Sequence, residues 1–321
     1  MKLGVLTVPL ASKSLEETLD YLSGLGVQCV ELGAGGYTNP CHLDVQKVIS
    51  DDAEVERIKT LLDKYHMEIS ALSAHGNPLH PNKELAASYH KQFKDAVLAA
   101  ERLGIDTVIG FSGCPGDCET SQYPNWVTCA WPDDYGKILE WQWEEKIIPY
   151  WKDMAAFCRQ HHISKIAFEM HPGFAVYNVA TLLRLRKAVG DCIGANFDPS
   201  HLIWQGTNPV EAIKALQGAM FHFHAKDTKV DAANTGINGV LDTGHYGNVL
   251  ARSWVFRTVG YGSDEKLWKD MMSALAAIGY DGTVSIEHED SLMSVTEGLE
   301  KAIRFMQNVM ITEGPCEMWW A

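Results

Sequence analysis

Four short segments of the sequence end an apolar run on a side chain able to bind a divalent cation: Glu169 in IAFEM, Asp198 in GANFDPSH, His224 in FHFHAKD and Glu287 in VSIEHED. Three carboxylates and one imidazole make a mostly hard, oxygen-rich ligand set, which suits Mn²⁺ or Mg²⁺ and admits Co²⁺ or Zn²⁺. Taken singly, each residue reads as an ordinary polar group at a strand end; Asp198 before Pro199 could cap a turn, and His224 could be a satisfied core histidine. Taken together they do not, because three carboxylates buried near one point would repel one another strongly. A cation removes that repulsion, and its open coordination positions would receive substrate oxygens.

Further polar groups flank these four. His171 lies two residues beyond Glu169, His222 two before His224 and Glu289 two beyond Glu287, so each pair shares a face wherever the chain stays extended. His201 follows Asp198 by three residues, and His75 and His80 stand together after an earlier apolar run. Of these, His75, His171 and His201 are candidate site residues, whereas His222 reads equally well as packing. Abstracting a proton beside a carbonyl needs a base within reach and an electrophile for the oxygen. Glu169 and Glu287 are therefore candidate acid–base groups as well as ligands. His171, with its near-neutral intrinsic pKa, is an additional base that favours an elimination.

These residues need a scaffold that delivers four segments to one point. Eight apolar runs rich in β-branched residues, at 3–8, 27–32, 67–73, 105–111, 165–170, 192–197, 219–225 and 283–288, alternate with segments of helical period. That is the pattern of parallel strands joined by crossover helices. Helices are predicted to begin near Ser14, Asp51, Glu84, Leu139, Asn178, Asn208, Asp264 and Ser294. Gly26, Gly104, Gly190 and Gly279 supply stop signals at helix ends. Eight units without a G-x-G-x-x-G after the first strand favour a closed (β/α)8 TIM barrel, an α/β fold, over a doubly wound open sheet. No Pro/Ser-rich linker divides the chain, so residues 1–321 read as a single domain.

The connections 112–139 and 226–263, after the fourth and seventh strands, are long; the first carries Trp126 and the second Arg252 and Arg257. In a barrel both overhang the C-terminal mouth, where active sites are built. Trp126, Arg252 and Arg257 are accordingly candidate substrate contacts, with a subunit contact as the rival reading.

The motifs E-x-H at Glu169 and His171, F-D-x-x-H ending on His201, H-x-H-x-K-D from His222 to Asp227 and S-I-E ending on Glu287 resemble the xylose isomerase-like TIM-barrel superfamily. Within it they resemble the group called sugar phosphate isomerase/epimerase, over nearly the whole chain. The resemblance implies a metal, most often Mn²⁺, held by Glu169, Asp198, His224 and Glu287. It also implies substrate contact by His201, and frequently homo-oligomers. Keto-sugar epimerases and isomerases of the family use the two metal-bound glutamates as acid and base. Inosose dehydratases and the catalytic subunits of C-glycoside deglycosidases enolise a keto sugar and then expel a β substituent. The endonuclease IV branch, with three zinc ions, is disfavoured: residues 109–111 end the fourth strand without a histidine, and no D-x-H pair is evident downstream of His224.

The expectation is a divalent-metal-dependent sugar isomerase or epimerase. The alternative is a metal-dependent lyase or dehydratase acting on a 3-oxo-glycoside or inosose, and a third reading is a sugar-binding barrel without catalysis. The expected partners are a small sugar or glycoside and further copies of the chain, with a small accessory subunit if the protein is deglycosidase-like. No Gly-rich phosphate cradle is visible, so a phosphorylated substrate gains no support.

Formal net charge is −14 with no Lys/Arg run, which argues against a nucleic-acid partner. No apolar stretch reaches membrane-spanning length, and MKLGVLTVPL reads as a first strand rather than a signal peptide. Several of the eight cysteines sit inside apolar patterns, as expected of reduced thiols in a cytoplasmic protein. Cys114, Cys118 and Cys129 cluster in one loop but lack the paired knuckles of a structural zinc site.

Overall fold

The computed structural model, which describes residues 1–314 and 316–320, has ten strands among those residues. In chain order they are β1 (Lys2–Leu6), β2 (Cys29–Gly36), β3 (Glu68–His75), β4 (Thr107–Gly110), β5 (Lys165–Glu169), β6 (Ile193–Phe197), β7 (Met220–Ala225), β8 (Asp227–Val230), β9 (Trp254–Arg257) and β10 (Thr283–Ile286). All but β8 and β9 form a closed parallel barrel in the order β1-β10-β7-β6-β5-β4-β3-β2. Lys2 lies opposite Thr283 and Gly4 opposite Cys29, so β1 joins the last barrel strand to the second. The barrel expected from the sequence is thus the fold observed, each of its strands arising from one of the apolar runs.

Local chemistry sets the helix starts. Ser14, Asn178, Asp264 and Ser294 each accept a backbone N–H in the first turn of the helix they precede, and Ser14 and Glu17 close a reciprocal capping box. Each such cap contributes about 1 kcal/mol. The four stop glycines all have positive φ, a conformation that costs glycine little. Between barrel and helices lies the main core, in which Trp143, Trp151 and Trp268 are fully buried. Truncating any of them to Ala would cost roughly 3–5 kcal/mol. Among the described residues, no helix is long and apolar enough to cross a membrane.

Besides two short unpredicted helices, Val45–Ser50 and Pro199–Ile203, the structure departs from the sequence reading on the long connections. The helix expected near Leu139 is a composite: Asp133–Trp141, a π turn over Gln142–Ile147, then Ile148–Gln160. Pro149 lacks the N–H that would continue an α ladder, and a π turn accommodates that gap. The same turn directs Gln142 inward, where its amide donates to the carbonyls of Gly116 (2.9 Å) and Asn125 (2.7 Å) and ties down the preceding loop. The connection 226–263 is not an open loop. It folds as an antiparallel hairpin, β8 with β9, whose linker carries the helix Ala232–Asn238. Strands of four residues are too short to show alternation amid the surrounding glycines.

The barrel buries many polar groups. Glu31, Ser73, Asn196, His222, His224 and Ser285 are all buried, beside a small apolar cluster of Ala71, Ile109 and Ala167. Burying such groups is tolerated only when they bond one another. His222, one of the two histidines of β7, does so through Asn196 Oδ1 (2.9 Å) and Ser70 Oγ (3.1 Å), which makes it part of this interior.

Candidate functional site

At the C-terminal ends of four neighbouring barrel strands the chain places Glu169 (last residue of β5), Asp198 (just after β6), His224 (in β7) and Glu287 (just after β10). One ligand atom from each lies within 4.8 Å of those from the others. His224 Nδ1 is 3.3 Å from Glu169 Oε2 and 3.1 Å from Glu287 Oε2. Asp198 caps the short helix Pro199–Ile203 by accepting from the Ser200 N–H (2.8 Å) through Oδ1, which leaves Oδ2 to face the others. Asp198 Oδ2 and Glu287 Oε2 are buried and are met by charged neighbours rather than by an aligned hydrogen bond. Carboxylate oxygens gathered on a hard donor set fit a divalent cation, and Glu169, Asp198, His224 and Glu287 are the residues that would hold it.

A second layer fixes these groups. Glu31, fully buried on β2, approaches His224 Nε2 to 2.8 Å and also accepts from Ser285 Oγ (2.8 Å) and the Ser73 hydroxyl. A carboxylate can only accept, so His224 donates from Nε2 and presents Nδ1 to the cluster. Burial would raise the Glu31 pKa, but the His224 and His222 rings and the Ser73 hydroxyl hold it at about 2. Burial likewise opposes the charge on His224, yet Glu31 and Glu287 raise its pKa well above the usual value. Lys226, two residues on and equally buried, extends its ammonium to Asp198 Oδ2 (3.1 Å), Glu287 Oε2 (2.9 Å) and Glu289 Oε2 (3.3 Å). Burial works against that charge; Asp198 and Glu287 overcome it and push the lysine pKa well up.

Three of the histidines singled out from sequence join the cluster. His75 Nε2 lies 3.0 Å from Glu169 Oε2, and His201 Nε2 lies 3.1 Å from Glu169 Oε1 and 3.2 Å from Asp198 Oδ2. Against burial, which would raise it, His75, His201 and His224 keep the Glu169 carboxyl well below its ordinary pKa. His171 packs its ring 4.0 Å from that of His201 and donates from Nδ1 to the Pro172 carbonyl (2.6 Å). Burial, reinforced by His201, pushes the His171 pKa down to about 3. It is therefore a neutral ring whose Nε2 can accept a hydrogen bond but is too weak a base to carry a proton near neutral pH, unlike the shuttle its intrinsic pKa suggests. Together with Tyr37, Phe111, Phe174 and Lys226, the residues His75, Glu169, His171 and Glu287 line a mouth cavity of about 650 Å³.

Three other candidates lie apart from the cluster. Arg252 is buried within the β8–β9 hairpin, donating from Nε to the Trp254 carbonyl (3.0 Å) and also to the Gly244 carbonyl. Arg257 pairs with Asp290 (3.1 Å). Trp126 meets Tyr177 edge-to-face at 5.4 Å. All eight cysteines are free thiols; Cys114 is buried, whereas Cys118 and Cys129 are exposed. Glu31 and Lys226 were not singled out from sequence. A lone glutamate in the apolar run CVELGAGG, and a lysine sharing a strand face with His224, are the signals that could have found them.

A sequence model of the xylose isomerase-like TIM barrel matches residues 19–309. The chain belongs to that family. Uncharacterized protein YfiH of Bacillus subtilis (strain 168) is 35% identical over 313 residues, 97% of this chain and 99% of that one. Among solved structures, the probable 3-DHS dehydratase AsbF of Bacillus anthracis superposes with a TM-score of 0.66 at 16% identity, covering 96% of this chain and 99% of AsbF. The 3-keto-D-glucoside 4-epimerase YcjR of E. coli gives a TM-score of 0.65 at 12% identity, over 96% and 99% of the two chains. At such identities the likeness to both structures is one of fold.

Proposed function

We propose that the protein is a divalent-metal-dependent isomerase or epimerase, with Mn²⁺ as its cation, that moves a proton on the carbon beside the carbonyl of a keto sugar. The observation that carries this reading is the convergence of Glu169 and Glu287 on His224 Nδ1 from β5 and β10, strands separated in the barrel by β6 and β7. Two carboxylates reaching one centre from different sides can remove a proton from one face of a carbon and return one to the other. When bound, the cation supplies the electrophile that polarises the carbonyl oxygen. Around it, His75 and His201 fix the Glu169 carboxylate, His171 Nε2 offers an acceptor for a sugar hydroxyl, and Lys226 offers a cationic donor. The 3-keto-glucoside epimerase of the same fold supports the assignment.

Elimination is the second reading, favoured by Lys226: an ammonium 2.9 Å from Glu287 is a donor that a departing oxygen could use. The dehydratase AsbF shows that a protein of this fold is named for such chemistry. Incubating Mn²⁺-loaded protein in D₂O with free ketoses, inososes and 3-oxo-glucosides, followed by NMR, decides between them. Deuterium entering an intact skeleton is the expected result. Release of water or an aglycone would transfer the assignment to the lyase, and binding without exchange would overturn both.

A further inference from the structure

Beside the mouth cavity lies a second hollow of about 380 Å³, walled by Tyr246, Val255, Phe256, Asp290 and Ser291. His171 and Glu289 line both, so the two spaces adjoin at residues that flank the carboxylate cluster. Phe256 is the hinge of the partition. Its ring meets His201 edge-on at 5.3 Å and lies 4.7 Å from Lys226 Nζ, while Tyr246 runs nearly parallel to it at 6.0 Å and 14°.

This wall is built before any ligand arrives. The Arg252 guanidinium lies 4.2 Å from the Tyr246 ring centre and 4.7 Å from that of Trp254, held by the Trp254 carbonyl, and Trp254 stacks on Trp204 at 4.6 Å and 5°. An aromatic surface whose side chains are already ordered costs a ligand little entropy to use. The polar groups of the hollow are largely committed: Asp290 accepts from Arg257 Nε (3.1 Å) and from the Thr258 N–H (2.8 Å) and hydroxyl (2.9 Å). What remains for a ligand is a flat apolar face, with Glu289 at the junction able to meet a hydroxyl.

We propose that this hollow is a subsite for the glycosidic substituent of the substrate, a ring with an apolar face, while the reacting sugar occupies the mouth cavity. The substrate is then a keto-glycoside rather than a free monosaccharide. Arg252 acts as a positioning residue for the Tyr246 wall and does not contact the sugar. This rests on the sugar reading above and narrows it. An aryl aglycone and a second pyranose share the required chemistry, and binding measurements separate them.

The test is calorimetry on the Mn²⁺-loaded full chain with the 3-oxo forms of methyl β-D-glucopyranoside, phenyl β-D-glucopyranoside and cellobiose, the last oxidised on its non-reducing ring. The phenyl glucoside, cellobiose or both should bind roughly tenfold more tightly than the methyl glucoside. Whichever is favoured names the substituent. Tyr246→Ala should abolish that advantage and leave methyl glucoside binding unchanged, and Tyr246→Phe should restore it. Tyr246 is more than half exposed, so these variants leave the core intact. Equal affinities for all three ligands, or an advantage that survives Tyr246→Ala, would overturn the subsite while leaving the sugar reading standing. Failure of all three to bind would overturn both.

Discussion

Glu31 and His224 are 193 residues apart in sequence and 2.8 Å apart in the barrel interior, and the bond between them decides which nitrogen of His224 faces the metal cluster. A ligating imidazole whose other nitrogen donates to a carboxylate is oriented, and made more basic, by that partner. Replacing Glu31 with Gln keeps the shape but removes the charge and lets an amide N–H oppose the ring N–H. Mn²⁺ affinity measured by equilibrium dialysis should fall roughly 10- to 100-fold, the range typical of such partners. Unaltered affinity would show that Glu31 merely fills the interior.

Glu169 and His171 sit two residues apart yet should fail differently. Glu169→Gln removes a ligand, so metal content and turnover fall together. His171→Ala removes no proposed ligand; metal content should hold while kcat/KM drops roughly tenfold, the worth of one hydrogen bond to a sugar hydroxyl. Elemental analysis of both proteins beside their kcat/KM values checks the split. If His171→Ala loses its metal, His171 belongs with the ligands and not with the substrate contacts.

The contrast among these residues shows what the sequence could convey. Glu169, Asp198, His224 and Glu287 were legible because each ends an apolar run, and a wound barrel carries all such ends to one mouth. Glu31 was harder to place, since a lone glutamate in an apolar run does not name its partner; only barrel closure sets β2 against β7 through two intervening strands. Lys226 stood in plain view in the His-x-Lys-Asp run, but its role depends on burial that a residue string does not display. Arg252 reads as a free cation on a long loop. In the structure it is consumed by the carbonyls of a hairpin whose strands are too short to announce themselves.

Lys226 brings positive charge to the same oxygens that would hold the metal, 3.1 Å from Asp198 and 2.9 Å from Glu287. Removing one partner from a buried ion pair leaves the other uncompensated, at about 3–5 kcal/mol. In chelator, Lys226→Met should therefore lower Tm sharply. Saturating Mn²⁺ should recover much of the loss, because the cation neutralises the same carboxylates and stabilises the folded state by mass action. Thermal melts of wild type and variant, each with EDTA and with Mn²⁺, give the comparison. An equal loss in both media would mean that lysine and metal do not serve the same charges.

Asp227, the next residue, anchors the hairpin that walls the hollow beside the mouth. Its carboxylate accepts from the backbone N–H groups of Thr228 (2.8 Å), Gly260 (3.0 Å), Gly262 (3.1 Å) and Ser263 (2.9 Å), and from Trp268 Nε1 (3.3 Å). The close approach needs glycine at 262, where an added Cβ would lie 2.3 Å from the Thr228 carbonyl oxygen and 2.6 Å from the carboxylate itself. Asp227→Ala strands several buried donors at once, each costing about 1–3 kcal/mol before relaxation. Gly262→Ala should force the same loop outward by a steric route. Both variants should open the segment 226–263 to limited proteolysis at temperatures where the barrel still gives its native circular dichroism. Turnover should fall in that interval, because the hairpin carries Phe256 and adjoins Lys226. Cleavage only on global melting would instead make Asp227 part of the barrel's own cooperative unit.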